Sequence, residues 1–136
     1  MSLAKKTFRV VMSERCFRFK PDSLMPHAPR QAGVYEFVTF DANLKPEVLY
    51  VGCSAPGTLY DALAAHLMGE RRPSADDLFK AAKDIYFDYV ARAEGADETD
   101  LLDIAGTLQR RHRPRFNRND PPASGRYSEV EVVEAE

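Results

Sequence analysis

The sequence predicts an α+β protein in which a small, mostly antiparallel β-sheet is flanked by helices. Short segments rich in β-branched and aromatic residues alternate with segments of helical periodicity, which is typical of this class. The two clearest strand segments are joined by a polar loop at residues 41–47, which favours an antiparallel hairpin. A length of 136 residues provides for one domain rather than two, so we expect a single domain over residues 1–136.

Each predicted element follows from a local pattern. Strands are predicted where apolar residues alternate or β-branched and aromatic residues cluster, at residues 7–12, 34–40, 48–51, 85–90 and 127–133. Helices are predicted where apolar residues recur at helical spacing, at residues 59–68, 74–83 and 98–111, the first two after the capping residues Thr58 and Ser74. Proline, glycine and polar residues predict irregular chain between them, above all at residues 21–33 and 114–123.

Charge and hydropathy exclude several function classes. The 19 Lys and Arg residues against 21 Asp and Glu residues give a net charge of −2, so the chain is not a globally basic nucleic-acid-binding protein, although a local basic patch is compatible with this balance. No apolar run approaches the roughly 18 residues of a membrane span, and the first residues lack the apolar core of a secretory signal. We therefore expect a cytoplasmic protein with no membrane partner.

The cysteine and histidine residues do not indicate a disulfide framework or a metal centre. Cys16 and Cys53 are too few for such a framework, and we expect both to be reduced thiols. His27, His66 and His112 match no zinc-ligand spacing with these cysteines. No metal site is therefore expected from these residues.

Two tripeptides in the predicted hairpin carry the first functional signal. The sequence GVY at residues 33–35 opens one strand, and YVG at residues 50–52 closes the other. A predicted helix containing His66 follows, and PRFN at residues 114–117 comes after the last predicted helix. Taken together and in this order, these motifs resemble the GIY-YIG nuclease family.

The resemblance covers most of the chain. Its core spans residues 26–117, with the strands at residues 7–12 and 127–133 as extensions. The sequence at residues 25–35, MPHAPRQAGVY, is similar to the form of the family found in the bacterial excision-repair incision subunit. The resemblance implies a small α+β nuclease fold and a bacterial, DNA-processing context.

The resemblance also implies which residues belong to the site. In the family, a carboxylate holds a divalent ion, a tyrosine helps to activate water, and an arginine stabilises charge on the phosphate. The residues that match the family's site by position are Tyr35, Tyr50, His66 and Asn117.

Two family positions have changed. The arginine position holds Ala62, and the metal-binding glutamate position holds Ala105. Without a carboxylate there is no strong anchor for Mg²⁺ or Mn²⁺. Loss of one fixed donor to the transition state costs about 10²–10³ in rate. The resemblance therefore implies a catalytically silent site with no cofactor.

A basic cluster at the end of the last predicted helix is the second signal. Five arginines fall within nine residues with no acidic residue between them: Arg110, Arg111, Arg113, Arg115 and Arg118. Such a cluster suits the negative end of the helix dipole, and it also suits contact with the phosphates of a nucleic acid. Phe116 is the one aromatic residue nearby for base stacking. The acidic tail, which contains Glu129, Glu131, Glu134 and Glu136, either keeps a terminal strand soluble or folds against these arginines.

Three functions remain open at this stage. The first is a catalytically silent GIY-YIG-like domain that binds DNA, another nucleic acid or another partner. The second is an active, metal-dependent, structure-specific endonuclease whose catalytic groups have moved. The third is a purely protein-binding α+β domain, in which the outer strands at residues 7–12 and 127–133 offer a sheet edge to another protein. Salt-dependent retention on DNA separates the first from the third, and metal-dependent cleavage separates the second from both.

Overall fold

The computed structural model describes residues 3–135 and has the predicted α+β class. Its strands are β1 (Lys5–Met12), β2 (Phe17–Arg18), β3 (Val34–Phe40), β4 (Pro46–Cys53), β5 (Tyr86–Ala93) and β6 (Glu129–Glu134). Its helices are α1 (Pro21–His27), α2 (Leu59–Leu67), α3 (Ala75–Ala81) and α4 (Glu98–His112). Within residues 3–135, no helix has the length and apolar character needed to cross a membrane.

The six strands form one mixed sheet centred on β5. The strand order is β4-β3-β5-β1-β6, and the short β2 also pairs with β5. The pairs β3–β4, β3–β5, β1–β5 and β2–β5 are antiparallel, which confirms a mostly antiparallel sheet and the predicted hairpin. The exception is β6, which lies parallel to β1.

Residues that alternate along the strands fill two apolar cores on opposite faces of the sheet. Tyr35 and Phe37 of β3 belong to a first core with α1, α2 and α3, whereas Val34 belongs to a second core with α4. The two cores are hereafter called the first and second core. They explain why the helices lie on both faces of the sheet, because each apolar face must be covered.

Most helix boundaries follow the predicted capping signals. The Thr58 side chain accepts a hydrogen bond from the main chain of Asp61 at 3.1 Å at the start of α2. Ser74 and Asp77 form a capping box at the start of α3. Both helices end slightly before the predicted residues 68 and 83.

The structure corrects three expectations about secondary structure. Residues 21–27 form the helix α1 rather than a loop, because Pro21 suits a first helical turn and Leu24 is buried in the first core. The strand β5 extends to Ala93, because this end pairs with β1. The two residues of β2 were not predicted, since a segment this short has no detectable periodicity.

The first strand is not an outer strand, which corrects a further expectation. In register, β6 pairs with β1 from Lys5 opposite Glu129 to Val10 opposite Glu134, and β5 lies on the other side of β1. Of the two extension strands, only β6 therefore presents an edge of the sheet.

Two acidic side chains lie opposite each other inside the sheet. Glu36 of β3 faces Asp88 of β5 in register, and only 5% of Glu36 is exposed. Burial, together with the neighbouring Asp88, raises the pKa of Glu36 to about 9, and burial also raises the pKa of Asp88. Burial therefore favours the protonated form of the Glu36 carboxyl in the folded protein. His112 of α4 lies 3.5 Å from Glu36, and the Cys16 thiol lies 3.8 Å from Asp88.

We expect the Glu36→Gln variant to unfold with a less pH-dependent free energy than the wild type. The folded-state pKa of Glu36 exceeds its unfolded value of 4.5, so its contribution is complete below pH 4.5 and is lost as pH rises towards about 9. Glutamine mimics the protonated carboxyl. At pH 8, the free energy of unfolding of the variant should therefore exceed that of the wild type by about 1–3 kcal/mol. Urea unfolding at several pH values measures this difference.

The matched control for this experiment is Glu47→Gln, which removes an exposed carboxylate from β4. It should leave the pH dependence between pH 5 and 9 close to that of the wild type. Equal pH dependence in Glu36→Gln and the wild type would show that Glu36 is ionised in the folded protein.

Candidate functional site

A buried hydrogen bond joins two of the family-matched residues. The Tyr35 hydroxyl lies 2.6 Å from Nε2 of His66, and both residues are 0% exposed. The other ring nitrogen, Nδ1 of His66, lies 2.8 Å from the carbonyl oxygen of Pro73. Because a carbonyl can only accept, Nδ1 carries the proton, and Nε2 accepts the hydrogen bond from Tyr35. The imidazole is therefore the neutral Nδ1–H tautomer.

Burial keeps this pair uncharged. It lowers the pKa of His66 to about 4 and raises the pKa of the Tyr35 phenol far above its ordinary value. The positive charge of Arg71 lowers the pKa of His66 further and opposes the rise for Tyr35. At neutral pH, Tyr35 is thus a hydrogen-bond donor inside the first core and is not a phenolate base.

The glycine of the YVG motif makes room for both motif tyrosines. Gly52 lies opposite Tyr35 in the β3–β4 pair. A Cβ atom on Gly52 would lie 2.4 Å from the Tyr35 ring and 2.8 Å from the Tyr50 ring. The Tyr50 ring in turn packs edge-on against His66, with 5.3 Å between the ring centroids. The GVY and YVG sequences therefore encode one packing unit of two tyrosines, a glycine and the histidine.

Asn117 closes the open edge of the sheet. Its side-chain oxygen accepts from the main-chain N–H of Val51 at 2.9 Å, and its side-chain nitrogen donates to the Val51 carbonyl at 3.0 Å. The main chain of Phe116 donates to the Leu49 carbonyl at 3.1 Å, and Gln109 of α4 also donates to the Val51 carbonyl, at 3.2 Å. These contacts provide hydrogen-bond partners for main-chain groups on the free edge of β4, where a neighbouring strand would otherwise pair.

An arginine outside the family's helix position lies beside the motif tyrosines. The Arg71 guanidinium lies 5.8 Å from the Tyr35 ring centroid and donates to the Cys53 carbonyl at 3.1 Å. A helix-ending turn places it there: Gly69 has a φ of 78°, and the main chain of Glu70 donates back to Ala65 at 2.8 Å. A glycine after a helix predicts such a chain reversal, and this was the available signal.

The two alanines at the positions where the resemblance implies an arginine and a glutamate are packed in apolar surroundings. Ala62 is 7% exposed in the first core, and Ala105 is 0% exposed in the second core. A charged side chain at either position would be buried among apolar groups. The nearby carboxylate of Asp103 is already engaged by the main chain of Ser124 at 2.9 Å and by its hydroxyl.

The potential metal ligands among the described residues are not grouped together. Within residues 3–135, no group of three or more His, Cys, Asp or Glu side chains is arranged to hold a metal. Cys16 and Cys53 are free, and burial raises the pKa of both thiols, that of Cys16 to about 11. Burial thus favours the neutral thiol form at both cysteines.

An open cleft of about 690 Å³ lies beside Asn117. It is lined by two aromatic residues, two carboxamides next to Asn117, and two arginines; these are Tyr50, Phe116, Gln109, Asn119, Arg72 and Arg118. Asp77 and Asp120 also line it, and Asp77 forms an ion pair with Arg72 at 3.2 Å. We call this space the Asn117 cleft.

A second cavity of about 360 Å³ adjoins the Asn117 cleft. The two share Gln109, Asn117 and Asn119, and the second adds Arg110 and Arg113. The family-matched residues Tyr50 and Asn117 therefore lie next to the basic cluster.

The five clustered arginines divide into two groups. Arg115 binds both carboxylate oxygens of Glu47, at 2.7 and 3.0 Å, and Arg111 donates to the Val132 carbonyl. Among residues 3–135, Arg110, Arg113 and Arg118 form no ion pair, and all three are exposed. We call these three residues the unpaired arginines.

The acidic tail covers only part of the basic cluster. Glu134 approaches Arg111 to 4.0 Å, whereas Glu129 pairs with Lys5 at 3.2 Å. Of the other tail glutamates, Glu131 is exposed on β6, and Glu136 lies outside the described residues. The unpaired arginines are thus left accessible by the described part of the tail.

Comparison of the chain with protein-family models, with curated proteins and with solved structures finds no match in any of the three. The resemblance to the GIY-YIG family therefore depends on the motifs and their spacing.

We expect the Gly52→Ala variant to be less stable than the wild type by about 1–3 kcal/mol. The new methyl group would displace the Tyr35 ring, at 2.4 Å, and disturb its hydrogen bond to His66. Urea unfolding followed by circular dichroism measures the loss. Gly57→Ala is the matched control, because a Cβ atom on Gly57 would lie 3.3 Å from its nearest neighbour, the main-chain oxygen of Ser54. Equal effects of the two substitutions would contradict the close packing at Gly52.

Proposed function

We propose that this chain is a GIY-YIG-like domain that has lost nuclease chemistry and binds nucleic acid through the Asn117 cleft and the cavity beside it. The observation that carries this proposal is the position of the unpaired arginines. They surround Asn117, next to the motif residue Tyr50, while Arg111 and Arg115 are engaged in holding the fold.

The charge distribution supports a polyanionic ligand. The chain as a whole has a net charge of −2. Three exposed arginines on one surface therefore form a local positive patch on a slightly acidic protein. Phosphate groups are the ligands that such a surface attracts, and guanidinium groups bind them through two parallel hydrogen bonds. The expected affinity is strongly salt-dependent.

The backbone of Arg113 supports a functional role for that residue. It ends α4 with φ 46° and ψ 57°, a left-handed conformation that glycine adopts more easily. A residue with a Cβ atom pays about 1 kcal/mol there. Because the Arg113 side chain is exposed and lines the second cavity, binding accounts for an arginine where the fold would favour glycine.

The loss of catalysis is supported by the chemistry of the motif residues. Tyr35 and His66 are neutral and bonded to each other, and the positions expected for an arginine and a glutamate are buried alanines. The remaining groups can hold the fold and contact a phosphate. They do not supply a base and a metal carboxylate together.

One observation favours an active metal-dependent endonuclease as a second candidate. Arg71 brings a guanidinium to the Tyr35 ring by a different route from the family's helix position. The test is incubation with labelled nicked, branched and single-stranded DNA in Mn²⁺ or Mg²⁺. Cleavage that Arg71→Lys abolishes would establish the second candidate. Retention of DNA without cleavage supports the silent domain. If the protein neither retains nor cleaves DNA, the protein-binding domain is the remaining candidate.

We expect the triple variant Arg110→Gln, Arg113→Gln and Arg118→Gln to bind DNA more weakly and with a flatter salt dependence. If each side chain contacts one phosphate, the slope of log affinity against log salt should fall by up to about 3. Fluorescence anisotropy with a labelled oligonucleotide at several salt concentrations measures both quantities.

The control is the triple variant Arg9→Gln, Arg15→Gln and Arg92→Gln, which removes the same charge from exposed residues of other elements. None of the three lines the Asn117 cleft or the second cavity. An equal loss of affinity in both triple variants would show that only net charge matters.

We expect Arg113→Gly to stabilise the fold by up to about 1 kcal/mol and at the same time to weaken nucleic-acid binding. The stability gain follows from relief of the left-handed backbone, and the binding loss from removal of the guanidinium. Leu44→Gly is the matched control, because Leu44 also has a positive φ, 61°, and is exposed in the β3–β4 turn. Leu44→Gly should stabilise the fold without changing nucleic-acid binding. Unchanged binding in Arg113→Gly would remove Arg113 from the proposed surface.

A further inference from the structure

The Asn117 cleft combines aromatic rings with positive charge. Tyr50 from β4 and Phe116 from the segment after α4 both line it, and both are only partly buried. The sequence analysis identified Phe116 alone as a stacking residue, because Tyr50 is far away in the chain. The pairing of β4 with the Phe116 segment brings the two rings to one cleft, since the Phe116 N–H donates to Leu49 of β4 at 3.1 Å.

We propose that this cleft accepts an unpaired nucleotide, so that the domain prefers single-stranded segments to duplexes. The inference rests on the proposed function and adds the class of nucleic acid. Bases in a duplex are stacked inside the helix, and an aromatic ring in a concave site can reach only a base that is unpaired. An arginine surface alone would contact duplex and single strands alike.

The size and lining of the cleft suit one nucleotide. Its volume of about 690 Å³ lies inside the range of roughly 300–1,000 Å³ that is typical of small-ligand sites. Gln109 and Asn119 place carboxamides in its wall, and such groups both donate to and accept from the edges of a base. The aromatic rings supply the stacking surface.

The charges at the rim give a path for the phosphates. Arg118 lies in the wall of the Asn117 cleft, and Arg110 and Arg113 lie in the adjoining cavity. A strand whose base enters the cleft can therefore place its next phosphates along these three guanidinium groups. The acidic residues Asp77 and Asp120 also line the cleft, and their carboxylates repel phosphates placed beside them.

The absence of tryptophan from the sequence provides a direct test. In the Phe116→Trp variant, the single indole reports on stacking through fluorescence quenching. The variant is titrated at low salt with short oligo-dT, oligo-rU, an abasic oligonucleotide of the same length, and a hairpin duplex. Binding of each is measured in parallel by anisotropy. Phe79→Trp, on the exposed side of α3, is the control for quenching away from the cleft.

The expected result is quenching of the residue 116 indole by oligo-dT or oligo-rU, with little quenching by the abasic strand or the duplex, and none in Phe79→Trp. Binding of oligonucleotides without selective quenching would overturn the inference and leave the proposed function standing. Absence of any binding at low salt would overturn the proposed function itself. The two failures are therefore distinguishable.

A second variant covers the case in which Phe116→Trp does not fold. Phe116→Leu keeps an apolar side chain but removes the ring. It should weaken binding of the single strand about tenfold and binding of the duplex much less, because stacking on one base is worth roughly this factor and paired bases are not free to stack. An equal effect on single strand and duplex would also overturn the inference.

Discussion

The hydrogen bond between Tyr35 and His66 determines how the candidate site is assembled. It connects β3 to α2, and the second nitrogen of the same imidazole connects α2 to Pro73 before α3. Three elements are thus tied to one neutral ring. Because the pair is buried, its polar atoms must satisfy each other, and any displacement leaves an unpaired polar group in the first core. The turn that carries Arg71 and Arg72 starts from this fixed point.

The residues that match the GIY-YIG motifs have structural roles in this fold. Tyr35 and His66 hold the helix turn to the sheet, Gly52 gives the tyrosines room, and Asn117 closes the edge of β4. Under the proposed function, such roles explain how the motif residues can be present while the positions that carry charge in the GIY-YIG family are alanine in this chain. Under the proposed function, the framework of a nuclease site is retained as the wall of a binding cleft.

Periodicity and capping residues were sufficient to predict much of the fold. The hairpin, α2, α3 and α4 all follow local patterns, because their apolar residues face one core and their first turns carry good caps. The helix α1 was missed because proline is normally read as a break, although it suits a first turn. The strand β2 is stabilised by its pairing with β5 and has no signal of its own.

The candidate site could be predicted only in part. Motif order selected Tyr35, Tyr50, His66 and Asn117 as candidates, and the run of arginines was visible directly. What the sequence could not show is pairing through space, such as the engagement of Arg115 by Glu47. The joint placement of Tyr50 and Phe116 in one cleft is equally non-local, since the edge contacts of β4 create it.

The position of β1 in the sheet has a consequence for how the chain folds as it is synthesised. This strand is the first of the six described strands to be synthesised, yet its two neighbours, β5 and β6, are the last two of the six. The second core therefore cannot close around the apolar residues Phe8 and Val10 of β1 until β5 and β6 have been synthesised. Contacts between residues that are this distant in sequence slow folding, and they leave apolar strands exposed to non-native pairing in the meantime. The early hairpin and α2 can form meanwhile, so the side of the sheet that carries the Tyr35–His66 pair is complete before the side that carries β6.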